Sequence, residues 1–215
     1  MKLLEALKNV DCLKVDNLYS TYDNVDNPAI ANLKSLVLHL AIQVSSFKLF
    51  EELLANKSYK QFLNYQDENG NTPLHIACQS QRHDIIELLL NQPLVNDTIL
   101  NHENQQPIDL IKNNPSLFNF VQLQRVKYVE KVSTELRKGF TNRDFKKLNQ
   151  IYSNPRNFEL LDINGLDPES GDTVLHEFIK KKDVEMVQWI LSHGGDPFKR
   201  DKRGKLPVEI ISKLK

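Results

Sequence analysis

The hexapeptide Gly70-Asn71-Thr72-Pro73-Leu74-His75 returns downstream as Gly171-Asp172-Thr173-Val174-Leu175-His176. It returns again, weakened, as Gly204-Lys205-Leu206-Pro207-Val208-Glu209, and from Gly171 to Gly204 is 33 residues. A fixed period of that size makes each copy one supersecondary unit that buries its apolar face only against its neighbours. The chain is therefore constrained to a stack of short units, with a stability that is roughly a sum of unit and interface contributions.

The longer stretch Asn69-Gly70-Asn71-Thr72-Pro73-Leu74-His75-Ile76-Ala77 resembles the helix entry of an ankyrin repeat, which has the same period. The residue types explain themselves. Thr72 is expected to cap helix A with its hydroxyl. Pro73 stands at the first helical position, where its missing N–H costs nothing. Leu74 packs inward, and His75 can hydrogen-bond polar groups of the neighbouring hairpin. Gly70 supplies the positive φ of the preceding turn. Gly171, Thr173, His176 and Gly204 take the matching roles in the later copies. Helix B of the clearest repeat reads Asp84-Ile85-Ile86-Glu87-Leu88-Leu89-Leu90, with Pro93 ending it.

The same template finds weaker copies. Leu36-Val37-Leu38-His39-Leu40-Ala41 lies 36 residues before Thr72, with a helix B over Phe47 to Leu54. Gln106-Pro107-Ile108-Asp109-Leu110-Ile111 lies 34 residues after Thr72, with a helix B from Pro115 through Phe118 to Leu123. Asp144-Phe145-Lys146-Lys147-Leu148 aligns with Asp84 to Leu88, which makes Val132 the counterpart of Thr72, heading a helix through Leu136 to Phe140. Two helices around Leu3–Lys8 and Cys12–Tyr19 are expected as an irregular N-terminal cap. Spacing fails in two places. From Gln106 to Val132 is only 26 residues, so the hairpin there has no room and one helix should run almost directly into the next. From Val132 to Thr173 is 41 residues, and the surplus is read as a loop from Asn157 to Gly171. The expectation is an all-α ankyrin solenoid of about five to six repeats, several degenerate, bent into two lobes. Residues 1–125 would form the first lobe and residues 126–215 the second. The last repeat, from Leu206, lacks a helix B, so the native chain is expected to continue.

Lys plus Arg and Asp plus Glu both number 28, so no global charge points to nucleic acid or membrane, and any electrostatic role must come from local patches. Two cysteines, Cys12 and Cys78, are too few for a disulfide scaffold and read as reduced thiols. No stretch approaches the roughly 18 apolar residues of a membrane span, and Met1-Lys2-Leu3-Leu4-Glu5 has no apolar signal core.

A narrower resemblance is carried by Ser153-Asn154-Pro155-Arg156-Asn157, Glu159 to Gly165, Asp167-Pro168-Glu169, Gly171 to Phe178 and Asp196 to Asp201. These segments resemble the N-terminal ankyrin region of the long fungal oxysterol-binding-protein homologues. The resemblance implies a targeting element of a lipid-transport protein. It would dock on a segment of an outer-nuclear-membrane protein at the nucleus–vacuole contact, with Golgi association left to domains outside this chain. It also implies that this region binds no sterol itself.

The sharpest local feature is basic: Lys199-Arg200-Asp201-Lys202-Arg203-Gly204-Lys205. On the ankyrin template Lys202, Arg203 and Lys205 fall on a hairpin tip, and Lys180 and Lys181 at the end of helix A. The functional reading is a positive groove for an acidic peptide; the plainer one is a solvated finger tip. Asp162, Asn164, Asp167 and Glu169 miss the EF-hand pattern, because Gly165 stands at position four and Leu166 at position five. His75 and Cys78 share a helix but read as packing rather than chemistry, and His83, His102 and His193 share no metal-ligand spacing. Trp189, beside Met186 and Ile190, reads as core. A non-catalytic interaction module with no cofactor and no metal is expected. The alternatives are a surface that packs on another part of the same polypeptide, or peripheral binding to anionic membranes.

Overall fold

The computed structural model describes residues 28–44 and 47–213. Among them the regular structure is helical, and no strand occurs. The helices expected around Leu3–Lys8 and Cys12–Tyr19 lie outside the described residues. The chain divides into two compact units between Tyr128 and Val129. The division falls inside a helix, so no turn marks it in the sequence.

Unit 1 opens with α1 (Pro28–Gln43), α2 (Phe47–Ala55) and the single turn α3 (Lys57–Lys60). Helix α1 starts well before Leu36, because Pro28 opens it and Ala29 to Lys34 contain no helix breaker. Asn56 caps α3 by accepting from the Ser58 N–H at 3.0 Å. Then follow α4 (Pro73–Gln79) and α5 (His83–Leu90). Thr72 caps α4 as its residue type demands, with Pro73 in the first turn. Leu38, Ile42, Leu49, Phe50, Ile85 and Leu89 are fully buried in one continuous core. They recur at the helical spacing that turns one face of each helix inward.

The segment Pro107–Ile111 is a 3₁₀ turn rather than a full helix A. Pro115 disfavours a helical Asn114 and so stops the segment early. Asn114 instead caps the next helix, accepting from Leu117 N–H at 3.2 Å. That helix, α6 (Pro115–Thr141), is unbroken for 27 residues. The two helices expected over Pro115–Leu123 and Val132–Phe140 are one, since nothing between them is a Gly or Pro.

Unit 2 continues with α7 (Phe145–Tyr152), α8 (Pro155–Leu160), α9 (Val174–Lys180), α10 (Val184–Ser192) and α11 (Pro207–Lys213). Helix α8 takes up the start of the expected loop, because Asn154 caps it through Arg156 N–H at 3.0 Å and Pro155 opens it. The core gathers Leu148, Leu175, Phe178, Met186 and Ile190. Trp189 is nearly buried, edge-on to Phe140 and Tyr152, and its indole N–H donates to Asn149 Oδ1 at 2.7 Å. Glu135 on α6 is gripped by Lys147 of α7 and by Lys138, which hold its carboxyl down to about 2.

Candidate protein-interaction surface

The hairpins between helix pairs are built by one repeated device. Asn101 Oδ1 accepts from the N–H groups of Glu103 and Gln105, both at 3.0 Å. Asp201 Oδ1 does the same for Arg203 and Lys205, at 2.8 Å. Asp167 Oδ1 accepts from Glu169 and Ser170. A short Asx side chain that folds back on its own backbone closes a turn without help from elsewhere. Burial pushes the Asp201 carboxyl up, but the N–H groups of Lys205 and Arg203 outweigh it and leave the group below the usual carboxylate range.

Successive hairpins are stapled by polar groups at matching positions. His75 Nδ1 accepts from Thr72 N–H at 3.1 Å, which leaves Nε2–H to donate to the Gln105 carbonyl at 3.0 Å. His176 repeats this with Thr173 and the Lys205 carbonyl, and His39 Nε2 faces the Asn71 carbonyl at 3.0 Å. Asn64 accepts from Asn96 N–H in unit 1 as Asn164 accepts from Asp196 N–H in unit 2. Gly70, Gly171 and Gly204 have φ of +77°, +73° and +77°, as their turns require.

One pair departs from the pattern. In unit 1 the Asn101 amide donates to Asn71 Oδ1 at 3.0 Å. The matching positions in unit 2 are carboxylates, Asp172 and Asp201, and both are buried. Lys180 supplies the missing donor, with Nζ 2.5 Å from Asp172 Oδ2. Among the described residues no group donates to Asp172 Oδ1. Nothing local in the sequence announces this pair, although Asn71 and Asp172 sit beside the same Gly in both copies.

The structure places the five expected cations as follows. Lys180, Arg203 and Lys205 line one small cavity of about 150 Å³ together with Asp201 and Glu209. Lys181 is paired to Glu177 at 2.5 Å and lies over the Phe178 ring, outside that cavity. Lys202 bends back to donate to the Pro168 carbonyl at 2.8 Å. Of the five, Lys180 and Lys181 stand in ion pairs, with Asp172 and Glu177.

Two larger clefts lie on the helix-A and hairpin side. In unit 1 a cleft of about 450 Å³ is walled mostly by polar side chains, among them Gln43, Asn69, Gln79 and Glu103. In unit 2 a cleft of about 380 Å³ lies between α6, the hairpin around Asp167 and α9, with Leu136, Phe140, Val174 and Phe178 as its apolar surface. Cys78 is buried away from both, and burial raises its thiol to about 12. Among the described residues no group of three His, Cys, Asp or Glu side chains could hold a metal, and no helix is long and apolar enough to cross a membrane.

Comparison with known proteins matches these features. Ankyrin-repeat models fit residues 3–102, as three copies, and residues 170–202. The ankyrin domain of Osh1 from Kluyveromyces lactis superposes with a TM-score of 0.88 at 43% identity, covering 99% of this chain and 89% of that one. The chain belongs to the Osh1 ankyrin-domain family. The crystal structure of the Saccharomyces cerevisiae Osh1 ankyrin domain with Nvj1 superposes on this Osh1-type domain with a TM-score of 0.86 at 43% identity, covering 99% of this chain and 90% of that one. Oxysterol-binding protein homolog 1 of Saccharomyces cerevisiae is 45% identical over 224 residues, covering all of this chain and 19% of its own length. The chain thus spans about a fifth of the length of the curated relatives it matches. As an Osh1-type ankyrin domain it is a protein-interaction module, and its rigid stapled hairpins present a preformed surface.

Proposed function

We propose that this domain is the targeting element of an oxysterol-binding-protein-like lipid-transfer protein. It docks that protein, peripherally, on a segment of an outer-nuclear-membrane partner at the nucleus–vacuole contact. The observation that carries the reading is the end-to-end likeness to an Osh1 ankyrin domain whose structure holds Nvj1. Docking needs a receptor that loses little entropy, and hairpins stapled by His75, His176 and His39 meet that need. The domain itself would carry no sterol. Arg203 and Lys205, with Lys202 beside them, are proposed as rim contacts for acidic residues of the partner; Lys180 and Lys181 contribute through the pairs they already make.

The test is calorimetry of this chain with the cytosolic segment of Nvj1, beside a Lys202→Glu/Arg203→Glu variant. Saturable one-to-one binding is expected, with the variant weakened by about threefold to tenfold if the rim contributes. No heat and no pull-down with the folded wild-type chain would remove the proposed partner.

A further inference from the structure

In unit 2 the hairpin of residues 201–205 stacks on the hairpin of residues 167–172, with Lys202 N–H donating to the Gly171 carbonyl at 2.9 Å. In unit 1 His102 N–H donates to the Asn69 carbonyl at 3.0 Å in the same way. Each hairpin thus offers an N–H, one residue past its Asx, to the hairpin before it. The hairpin at Asp167 has no predecessor in unit 2, because α6 runs unbroken through the place where one would begin. At its matching position stands Pro168, which has no N–H to leave unsatisfied. The apolar cleft of about 380 Å³ lies on that open side, between the hairpin and α6.

The lining of the cleft specifies what fits. Half-buried Leu136 and Val174 offer an apolar seat over the buried Phe140 and Phe178 rings, and Leu166 stands exposed at its edge. The charged residues of the lining are Asp162, Asp167, Asp172 and Glu177 against a single cation, Arg137. Asp172 is 93% removed from solvent, and among the described residues no group donates to its Oδ1. A buried acceptor of that kind is costly until a donor reaches it. Lys180 and Lys181 engage Asp172 Oδ2 and Glu177 from outside the cleft and do not line it.

We propose that this cleft receives a cationic, amphipathic segment of a partner protein, seated where the absent hairpin would lie. Apolar side chains of the segment cover Leu136, Val174 and Leu166, and its Lys or Arg side chains face Asp162, Asp167 and Glu177. The inference rests on reading the chain as a docking domain and assigns the chemistry of the docked segment. It is opposite in sign to the basic tip at Lys202 and Arg203.

The test is selection of displayed random dodecapeptides on the immobilised wild-type chain, followed by fluorescence polarisation of the enriched peptides. Enriched peptides should carry several Lys or Arg among apolar residues. Their affinity should fall steeply between about 50 and about 500 mM salt, as screening demands. A Leu166→Arg/Glu177→Lys variant should bind them about tenfold more weakly, with Trp189 fluorescence confirming its fold. Arg137→Glu should bind them more tightly, a gain that misfolding cannot produce. Acidic or uncharged peptides, no enrichment, or affinities unmoved by both variants would overturn the inference. Nvj1 binding that ignores both variants also removes it while leaving the proposed function intact; failure of wild-type Nvj1 binding with cationic peptides retained does the reverse.

Discussion

The Nε2–H of His75 meets the carbonyl oxygen of Gln105 at 3.0 Å across a gap of 30 residues in sequence, and the imidazole is fully buried. Its other ring nitrogen is occupied by the Thr72 backbone N–H at 3.1 Å and the Thr72 hydroxyl at 2.8 Å. One side chain therefore caps α4 and staples the next hairpin, and both tasks need the neutral Nε2–H tautomer. A second proton on Nδ1 would oppose the Thr72 backbone N–H and cost it its acceptor.

A pH dependence follows from that geometry. Burial, partly offset by the Gln105 carbonyl, lowers the His75 pKa below its ordinary value of 6.5. The unfolded chain then binds more protons than the folded one. Stability from His75 is complete above about pH 6.5 and is lost as pH falls from there toward the folded pKa, by at most about 1.4 kcal/mol per pH unit. The lowered carboxyls of Asp109 and Asp201 lose their share only below the carboxylate range, so they do not enter this window. Urea midpoints measured at about pH 7.5 and about pH 5 should drop for the wild type and much less for His75→Gln. Equal slopes in the two proteins would remove His75 as the cause.

Alanine at three glycines should separate backbone strain from crowding. All three have positive φ, which costs an L-residue about 1–2 kcal/mol. A Cβ on Gly204 meets nothing within 4 Å, so Gly204→Ala should cost about that and no more. On Gly171 it would lie 2.7 Å from the side chain of Lys202, which can shift only in part. On Gly70 it would lie 2.7 Å from the backbone nitrogen of His102, which is held in the hairpin stack. Chemical denaturation should rank the losses Gly70→Ala, then Gly171→Ala, then Gly204→Ala. A Gly204→Ala loss as large as that of Gly70→Ala would show that stacking is not the discriminating factor.

The repeats were legible where local chemistry alone decides. Thr72, Pro73 and Gly70 act within a turn of themselves, so their types announce their roles. The short interval from Gln106 to Val132 forecast the lost hairpin, because residues 124–131 contain no Gly or Pro. What stayed hidden depends on side chains from other turns and helices, from 4 to 40 residues away. The carboxylate pair Asp172 and Asp201 needs Lys180 from a neighbouring helix to make sense, and Trp189 needs Asn149. The cations at Lys202 and Lys181 looked available in sequence, but folding engages them with Pro168 and Glu177. The acidic cleft was invisible for a related reason: Arg137, Asp162 and Glu177 meet only once the surplus residues after α8 fold back over α6.

The ion pair of Arg125 with Asp97 offers the sharpest test of how α6 is held in unit 1. Arg125 Nε lies 2.9 Å from Asp97 Oδ2, and its guanidinium also donates to the Asp97 carbonyl at 3.1 Å and to Gln106 Oε1 at 3.2 Å. The Asp97 side chain keeps only 2% of its exposure and that of Arg125 17%. Taking a charge out of water is tolerated here because three acceptors meet one planar cation. Arg125→Met keeps the aliphatic packing but takes the cation from a buried carboxylate, and should cost about 3 kcal/mol. Asp97→Asn/Arg125→Met removes the buried charge as well and should recover at least about 1 kcal/mol of that loss. Hydrogen exchange of the α6 amides before Tyr128 reads the same change locally, with protection falling in the single variant and returning in part in the double. If the double variant were less stable than the single by the full cost of Asp97→Asn alone, the two side chains would be acting independently. The hairpin at Asp97 would then not be what secures α6 in unit 1.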